Sequence, residues 1–395
     1  MSAVNTLRLS AFDTLFFRES RPFDAIGGSE LASVFPPPPR TVLGAVRTAI
    51  GDALGADWKC FGQKRENYAL PDGRKLYDLI GYGDDLASLS LAGVWLSLNG
   101  ERLYPAPWFL LQREDKADFA RLRIGAAVRT HGGNVRLPQA PGREYRALSG
   151  AWLTRAGLEK VLQGGVPESG ELHRQADLYA TEPRLGIARD NGARTVLNGL
   201  LYQSRHIRPK KGLSIEADIC GLEGTGIENR IVRLGSEGRL ADIAFTATPD
   251  RPAMPAAGAD TLGVMLVLLT PARFGAGATG WLPPGFAPEP VNLNGADVWR
   301  GAIDGIALTL HAAVLGKVLR EGGWDMAGRK PRAVQSLIPP GSSYYCTVDN
   351  GDIAAAIAAL HGRQLGDDRE WGRGAIACGL WKRNEFFTDH PGENA

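Results

Sequence analysis

The sequence predicts an α+β protein that contains two ferredoxin-like units, and three observations support this class. Residues 7–11 alternate apolar and polar side chains, and an amphipathic helical segment and two further strand-like segments follow. Strand, helix, strand and strand in this order begin a ferredoxin-like unit. A similar series starts again after residue 260, and the 50 glycines and 25 prolines are scattered through the chain. Scattered glycine and proline favour a sheet-rich fold with many tight turns over a helical bundle.

The first unit is predicted to occupy residues 1–120. After the strand at 7–11, an aromatic and arginine-bearing loop (FDTLFFRESRPF) precedes four consecutive prolines, 36–39. Such prolines suit the entry to a helix, which Thr41 is expected to cap. The apolar residues of that helix recur on one face, and Gly55 is expected to end it. Segments 93–99 and 102–112 are predicted strands.

The second unit is predicted to occupy residues 256–395, after a linker rich in proline and alanine at 248–260. Segments 261–274, 308–319, 332–338, 342–348 and 373–382 are predicted strands. A helix is expected at 351–360, ended by His361 and Gly362. Residues 121–255 are predicted to form an insertion of basic loops, a thumb-like hairpin and a glycine-rich loop.

Composition excludes several classes of protein. The net charge of +2 argues against a free-standing and strongly basic nucleic-acid binder, so any contact with a polyanion must come from local patches. The four cysteines are far apart, which predicts neither a metal site nor a disulfide framework, and indicates a reducing, cytoplasmic setting. No signal-peptide pattern is present, and the apolar run at 262–269 is too short to span a bilayer. No membrane association is expected.

No cofactor is expected either. The GAGATG motif at 275–280 matches the glycine pattern of dinucleotide-binding loops. Such a loop must lead into a helix whose N-terminus meets the pyrophosphate, whereas here Pro283, Pro284 and Gly285 follow. The sequence also lacks a Walker A motif, a zinc-protease helix and a nucleophile elbow.

Two basic stretches without any acidic residue point to an anion-binding surface. One runs from 119 to 143 and the other from 191 to 215. The alternative interpretation, a solvated loop, remains open for each stretch. Their coincidence in a nearly neutral chain favours a surface shaped for phosphates.

Glycine-rich segments with arginines strengthen this interpretation. In RLGSEGRLA (233–241), Gly235 and Gly238 permit close approach of the backbone to a ligand, while Arg233 and Arg239 offer forked donors. EWGRGAIACG (370–379) and AGRKPRAVQS (327–336) have a similar character. The alternative for each segment is an ordinary turn with charged neighbours.

His206, in YQSRHIRPKK, is the one histidine that could act as a general base in RNA cleavage. The alternative, which we favour, is a polar residue within a strand that contacts phosphates. His311 lies in an apolar run and is expected to be structural.

Five segments, taken in order, resemble one family. They are FDTLFFRESRPFD, FPPPPRTVLGAVRTAI, EPRLGIARDNGARTVLNGLLYQSRHIRPKKGL, RLGSEGRLA and VQSLIPPGSSYY. The chain is similar to the RAMP subunit that caps the crRNA 5′ end in the Cmr complex, the type III-B CRISPR effector. Two positions depart from the expected pattern: Glu19 and Ser20 lie between the first-loop arginines in place of aspartate and glycine, and Ser236 replaces a glycine.

The resemblance implies tandem ferredoxin-like (RRM-like, RAMP) domains and a non-catalytic, RNA-binding role without a metal. The expected partners are the repeat-derived 5′ tag of the crRNA, the large polymerase-like subunit and the backbone RAMP subunits. Phe16 and Phe17 are expected to pack or to stack on bases, while basic side chains reach phosphates. The residues expected to bind RNA are Phe17, Arg18, Arg21, Arg40, Arg136, Arg205, Arg208, Lys210, Lys211, Arg233, Gly235, Gly238, Arg239, Lys330, Trp371 and Arg373.

Two other functions remain as alternatives at this point. The chain could be a metal-independent endoribonuclease of the RAMP superfamily that processes guide precursors with His206 as its base. It could instead be a protein–protein adaptor that barely touches RNA, although the two acid-free stretches argue against this.

Overall fold

The computed structural model describes residues 3–19, 30–114, 118–190, 192–227, 229–275, 277 and 279–386. These residues form an α+β structure that is rich in strands and arranged in several sheets. The predicted α+β class is thereby confirmed.

Thirteen strands lie in the described residues up to position 209. In chain order they are β1 (Val4–Ala11), β2 (Glu30–Leu31), β3 (Ser90–Leu98), β4 (Glu101–Pro105), β5 (Leu110–Arg113), β6 (Phe119–Arg121), β7 (Arg123–Thr130), β8 (Gly133–Gln139), β9 (Tyr145–Ala147), β10 (Ala151–Leu153), β11 (Leu172–Arg174), β12 (Tyr179–Asp190) and β13 (Thr195–Pro209).

Thirteen more strands lie in the described residues after position 209. They are β14 (Leu213–Cys220), β15 (Arg230–Arg233), β16 (Leu240–Thr246), β17 (Thr261–Leu268), β18 (Val291–Leu293), β19 (Ala296–Ile303), β20 (Ile306–Val314), β21 (Leu319–Glu321), β22 (Trp324–Asp325), β23 (Lys330–Pro331), β24 (Gln335–Leu337), β25 (Ser343–Val348) and β26 (Ile376–Lys382).

The α-helices are fewer and mostly short. The described residues contain α1 (Pro39–Ala53), α2 (Trp58–Lys64), α3 (Leu76–Ile80), α4 (Arg155–Leu162), α5 (Gln175–Leu178) and α6 (Ile353–Leu360). No helix among them is long and apolar enough to cross a bilayer.

The first sheet contains eight strands in the order β11-β10-β4-β3-β14-β1-β16-β15. Its central strands β3, β14, β1 and β16 pair antiparallel throughout. Because β14 and β16 come from residues beyond 210, this sheet crosses the unit boundary predicted at residue 120. Long insertions therefore separate strands that lie side by side.

Helix α1 packs its apolar face on this sheet. Val42, Leu43, Val46 and Ile50 are fully buried, as their helical spacing predicts. The helix begins at Pro39, three residues before the start that a cap at Thr41 predicts, and Thr41 does not cap it. A proline in the first turn needs no amide partner, so the proline run itself defines the start.

The second sheet contains six strands in the order β18-β19-β20-β25-β17-β26. Strand β17, which lies between β25 and β26, is buried along nearly its whole length. Val264 and Leu266 contribute to one apolar core, which includes α6, and Met265 and Val267 contribute to another. Neighbouring residues of a strand face opposite sides of its sheet. Burial on both faces therefore explains the continuous apolar run that the sequence shows here.

The apolar core on the other face of β17 joins the two sheets. It contains Trp95 and Tyr104 from the first sheet, Leu158 from α4, and Tyr345 and Trp381 from the second sheet. The two sheets therefore share one buried layer.

A long two-stranded arm, β12–β13, leaves the first sheet beside the loop that follows β1. Its antiparallel register pairs Glu182 with His206 and Arg184 with Ser204. Strand β13 also pairs in parallel with the short strand β2. The arm brings the second basic stretch of the sequence next to the first loop.

Candidate nucleic-acid interface

Three segments that are distant in sequence meet at the base of the arm. Leu15, in the loop after β1, exchanges two backbone hydrogen bonds of 2.8 Å with Ile207 of β13. The Ser236 amide donates a hydrogen bond of 2.7 Å to the Phe16 carbonyl. These bonds hold the first loop between the arm and the glycine-rich loop, so the side chains around it keep fixed positions.

The glycine-rich loop depends on glycine at this junction. Gly235 has a φ of +86°, and a Cβ there would lie 2.4 Å from the Phe16 carbonyl oxygen. Gly238 has a φ of +64° and no atom within 4 Å of its Cβ position. Gly235 therefore permits a close approach of the chain's own backbone at Phe16, and the approach to a ligand expected at Gly235 and Gly238 stays a prediction.

His206 forms the buried floor of the junction. Its side chain is 0% exposed, and its ring stacks on Phe16 with a centroid distance of 4.9 Å. Nδ1 lies 3.0 Å from the Thr14 hydroxyl and Nε2 lies 3.1 Å from the Glu237 carboxylate, although the second contact lacks hydrogen-bond geometry. Burial lowers the pKa of His206, and the charge of Glu237 opposes that effect in part. The ring is therefore held neutral at physiological pH.

The two phenylalanines of the first loop belong to the core. Phe16 and Phe17 are only 2% and 3% exposed, and the Phe17 ring packs near Phe35. Of the two roles expected for them, packing is the one that the structure bears out. The base-stacking role expected of Phe17 does not fit its burial, because neither face of the ring is open.

Three arginines lie together at the surface of the junction. The guanidinium groups of Arg184, Arg208 and Arg239 approach the Asp13 carboxylate to 3.1, 3.0 and 3.6 Å. Glu182 also pairs with Arg184 and Arg208. These two carboxylates balance most of the positive charge of the three arginines in the chain without RNA.

The second acid-free stretch of the sequence is therefore not acid-free in space. Arg208 meets Glu182 from the opposite strand and Asp13 from the first loop, and Arg205 pairs with Glu30 of β2. The antiparallel strand β12, the first loop and the parallel strand β2 supply acids that a window of consecutive residues cannot show.

Three other predicted cations, which adjoin these segments in the sequence, are exposed to solvent. Lys210 and Lys211 form the exposed turn between β13 and β14, and Arg233 lies exposed at the end of β15. Within the described part of the chain, none of these three side chains has an ion-pair partner. They are the cations most directly available to a polyanion.

Arg18 lies in the first loop, exposed, and its backbone forms an isolated bridge with Ser33. Arg21 falls outside the described residues.

A second group of predicted residues lies elsewhere, beside the start of α1. The Arg40 guanidinium stacks on the Trp371 ring at 3.9 Å and pairs with Asp84 at 2.8 Å. Arg332 also pairs with Asp84, at 2.7 Å. Trp371 is 4% exposed, and its ring packs against the Arg40 guanidinium. It therefore cannot stack on an RNA base in this structure, contrary to its expected role. Lys330, two residues before Arg332, is exposed in the short strand β23.

Arg373 and Arg136 have structural surroundings. Arg373 is 1% exposed and bonds to Glu321, Asp368 and Gln335 at 2.6, 2.8 and 3.0 Å. The expectation that it pairs with RNA is wrong for this state of the chain, because its donors point into a buried network. Arg136, half-buried in the β7–β8 hairpin, lies over the Phe386 ring at 4.6 Å, away from the junction.

The remaining observations concern metals and cofactors. No group of three potential ligands occurs among the described histidine, cysteine, aspartate and glutamate residues. Residues 281–286, which follow the GAGATG motif, contain turns and no helix, whereas a dinucleotide loop leads directly into one. Ala276 and Ala278, within the motif, lie outside the described residues.

The family model described as CRISPR-associated protein (Cas_Cmr3) matches residues 7–381. The chain belongs to this family. The resemblance stated from the sequence motifs is thereby confirmed. No curated protein matches the chain.

Several chains of solved structures are similar to this Cas_Cmr3 family member. Two come from cryo-EM structures described as the type III-B Cmr-beta bound to cognate target RNA, one of them also with AMPPnP. Each is 16% identical, with 86% of both chains covered and TM-scores of 0.46 and 0.47. A chain of the Csm3-Csm4 subcomplex in the type III-A CRISPR-Cas interference complex is 9% identical, with 86% of this chain and 92% of that chain covered and a TM-score of 0.37.

Sequence reasoning missed four residues of the junction in this Cas_Cmr3 family member. Three of them, Asp13, Glu182 and Glu237, pair with the predicted cations or with His206. The fourth is Arg184, which pairs with Asp13 and Glu182. The signal that could have found Arg184 and Glu182 is the alternation along β12. Glu182 and Arg184 are two residues apart and therefore share one face of the arm with His206 and Ser204.

Proposed function

We propose that this chain is a non-catalytic RNA-binding subunit of a type III-B CRISPR effector. In this role it holds the repeat-derived 5′ tag of the guide RNA and docks to the large polymerase-like subunit and to the backbone RAMP subunits. Membership of the Cas_Cmr3 family supports the assignment to such a complex.

The observation that carries the RNA-binding role is the junction itself. The first loop, the arm and the glycine-rich loop are joined by backbone hydrogen bonds. Five arginines and lysines of the proposed site lie on or next to these segments: Arg205, Arg208, Lys210, Lys211 and Arg239. Surface cations that a rigid backbone holds in place suit the phosphates of a single strand better than a freely solvated loop would.

The architecture proposed for this role is a pair of ferredoxin-like units. In that fold, the fourth strand lies beside the first, and the third lies between the first and the second. The central strands β3-β14-β1-β16 have this arrangement with α1 after the first strand, and β20-β25-β17-β26 have it with α6 before the last. We therefore place the N-terminal unit at β1 to β16, with residues 99–212 inserted, and the C-terminal unit from β17 onward.

The endoribonuclease alternative is weakened by the surroundings of His206. A general base must come within hydrogen-bond distance of the hydroxyl that it deprotonates. The His206 ring is fully buried, stacked on Phe16, and both of its nitrogens face groups of this chain. A substrate hydroxyl would have to displace Thr14 or Glu237 to reach it.

A single experiment separates the three functions. The purified full chain is incubated in EDTA with end-labelled RNA that carries the repeat sequence, and samples are analysed by gel shift and by denaturing gel. We expect a shifted band and full-length RNA. Cleaved RNA would establish the nuclease, and intact RNA without any shift at low salt would favour the adaptor.

The docking part of the proposal is tested separately. Pull-down of the large subunit by the tagged chain, with and without RNase treatment, measures contact between the proteins. We expect RNase-resistant capture. Capture that RNase abolishes would show that RNA alone joins the two subunits.

A further inference from the structure

This inference rests on the proposed function and concerns the group of Arg184, Arg208 and Arg239, here called the three-arginine cluster. Each guanidinium belongs to a different part of the junction: β12, β13 and the glycine-rich loop. All three approach one carboxylate, Asp13, at distances of 3.0 to 3.6 Å. A single anion at the centre of three guanidinium groups is the arrangement that proteins use for phosphate.

We propose that a backbone phosphate of the guide RNA binds to the three-arginine cluster in place of Asp13, which occupies this anion site in the RNA-free chain. Asp13 thus competes with RNA for the same three guanidinium groups. For a phosphate to bind here, the Asp13 side chain must turn away from the arginines and from the Thr14 amide, while backbone hydrogen bonds at Leu15 and Phe16 hold the loop in place.

The exposure of the partners suits such an exchange. The Asp13 side chain is 48% exposed, and Arg208 is similarly open, so an incoming phosphate reaches the site from solvent. Exposed ion pairs contribute little to stability, so little free energy is lost when they are replaced. A phosphate diester offers two free oxygens to the guanidinium forks without the tether that limits the geometry of a side-chain carboxylate.

Asp13 is an effective competitor because it remains charged. The Thr14 backbone amide, and then the Arg184 and Arg208 guanidinium groups, hold the pKa of Asp13 below its ordinary value. The carboxylate is therefore ionised at any pH at which the chain would bind RNA.

The cluster is also incompletely satisfied by its present partners. Arg239 reaches Asp13 and Glu237 only at 3.6 Å, and its Nε atom has no hydrogen-bond partner within the described part of the chain. A ligand with more acceptor oxygens would complete the pairing of this arginine. Glu182 stays beside Arg184 and Arg208 and keeps their guanidinium groups oriented.

The experiment compares Asp13→Asn with Glu289→Gln in the full chain. Both variants remove one negative charge, but Glu289 is exposed near the second sheet and makes no ion pair within the described residues. Binding of a fluorescein-labelled single-stranded RNA with the repeat-derived tag sequence is measured by anisotropy over a range of salt concentrations. We expect Asp13→Asn to bind about three- to fivefold tighter than Glu289→Gln. The reason is that RNA no longer competes with a carboxylate whose interaction is worth about one exposed ion pair.

Arg184→Gln and the double variant with Asp13→Asn complete a thermodynamic cycle. Arg184→Gln should bind RNA more weakly than the unaltered chain, and in its background the gain from Asp13→Asn should shrink. Equal or weaker binding by Asp13→Asn relative to Glu289→Gln, or a gain that Arg184→Gln leaves intact, overturns the exchange while the RNA-binding function stands. Absence of salt-dependent RNA binding by the unaltered chain would instead contradict the proposed function.

Discussion

At the level of single residues, Arg239 tests whether geometry or charge alone holds the guide. Its guanidinium lies between Asp13 and Glu237 at the edge of the junction. Lysine keeps the positive charge but cannot form two parallel hydrogen bonds to a phosphate. We expect Arg239→Lys to weaken retention of the guide 5′ end and Arg239→Glu to weaken it further. The measurement is nuclease trimming of the tag in isolated complexes, followed by sequencing of the protected RNA ends.

Arg300→Lys is the matched control for this prediction. Arg300 lies exposed in β19 of the second sheet, away from the junction, and has no ion-pair partner among the described residues. Its complexes should carry tags protected to the same length as those of the unaltered chain. Full-length, fully protected tags in Arg239→Glu complexes would show that the glycine-rich loop does not hold the RNA.

His206 gives a prediction about pH. Burial lowers its pKa from the ordinary value of 6.5. Protons therefore bind the unfolded chain more readily, and the stability that the neutral ring contributes is lost as pH falls below about 6.5 toward the folded-state pKa. His206→Gln removes this titration, so its melting temperature should fall less between pH 7 and pH 5 than that of the unaltered chain.

His311 and His361 also contribute to the loss of stability in this pH range. Burial lowers their pKa values too, that of His311 to about 4. They are unchanged in the variant, so the difference between the two melting curves isolates His206. An identical change of melting temperature with pH in the two proteins would mean that folding does not lower the pKa of His206. In the same variant, guide RNA length should be unaffected, which a catalytic His206 would not allow.

Among single residues, the sequence predicts positions better than roles. Arg208 and Arg239 both contact Asp13, and Gly235 lies against Phe16 in the same junction, whereas Arg373 and Trp371, from a similar glycine-rich motif, are buried. A glycine-flanked arginine looks alike in both settings. What separates them is the partner, Asp368 and Glu321 for Arg373, and those partners come from distant positions that no local pattern identifies.

At the level of elements, the glycine-rich loop offers a comparison between two glycines. Both Gly235 and Gly238 have positive φ, so alanine is strained at either position by about 1–2 kcal/mol. Only at Gly235 would the new Cβ also collide with the Phe16 carbonyl. We expect Gly235→Ala to lower the free energy of unfolding by at least about 1 kcal/mol more than Gly238→Ala, measured by urea titration.

RNA binding should follow the same order for Gly235→Ala and Gly238→Ala, because the collision would push the first loop away from the arm. Gly238 faces open space, so its variant keeps the junction and loses only backbone freedom. Equal losses at the two positions would show that the contact between Gly235 and Phe16 does not hold the junction together.

Elements with a strong local period are the ones the sequence predicts well. Strand β1, helix α6 and strand β26 lie where the alternation at 7–11, the end signals His361 and Gly362, and the apolar segment at 373–382 indicate. The order of the strands within the sheets, in contrast, does not follow from local patterns. Strands β3 and β14 are neighbours although more than a hundred residues separate them, and only packing of the whole chain decides such a pairing.

At the level of the whole molecule, a net charge of +2 is compatible with a local anion site. The cations of the three-arginine cluster are matched by Asp13, Glu182 and Glu237, so they add nothing to the overall charge of the free chain. Lys210 and Lys211 differ, because they face solvent without partners among the described residues. The chain therefore has two kinds of basic side chain. The arginines of the cluster already pair with carboxylates, whereas the two lysines have no ion-pair partner among the described residues.

These two kinds of cation should respond differently to salt. Lys210→Ala combined with Lys211→Ala should reduce the slope of log affinity against log salt by roughly 0.7 for each phosphate contact that is lost on a single strand. The turn itself is kept, because Lys210 contributes to it through backbone bonds with Leu178 and Leu213. The measurement is RNA affinity of the assembled complex at several salt concentrations. Lys59→Ala with Lys64→Ala, which removes two exposed charges from α2, should leave the slope unchanged. An equal slope for both double variants would show that Lys210 and Lys211 face solvent in the complex. The electrostatic part of binding would then come from the three-arginine cluster and not from these lysines.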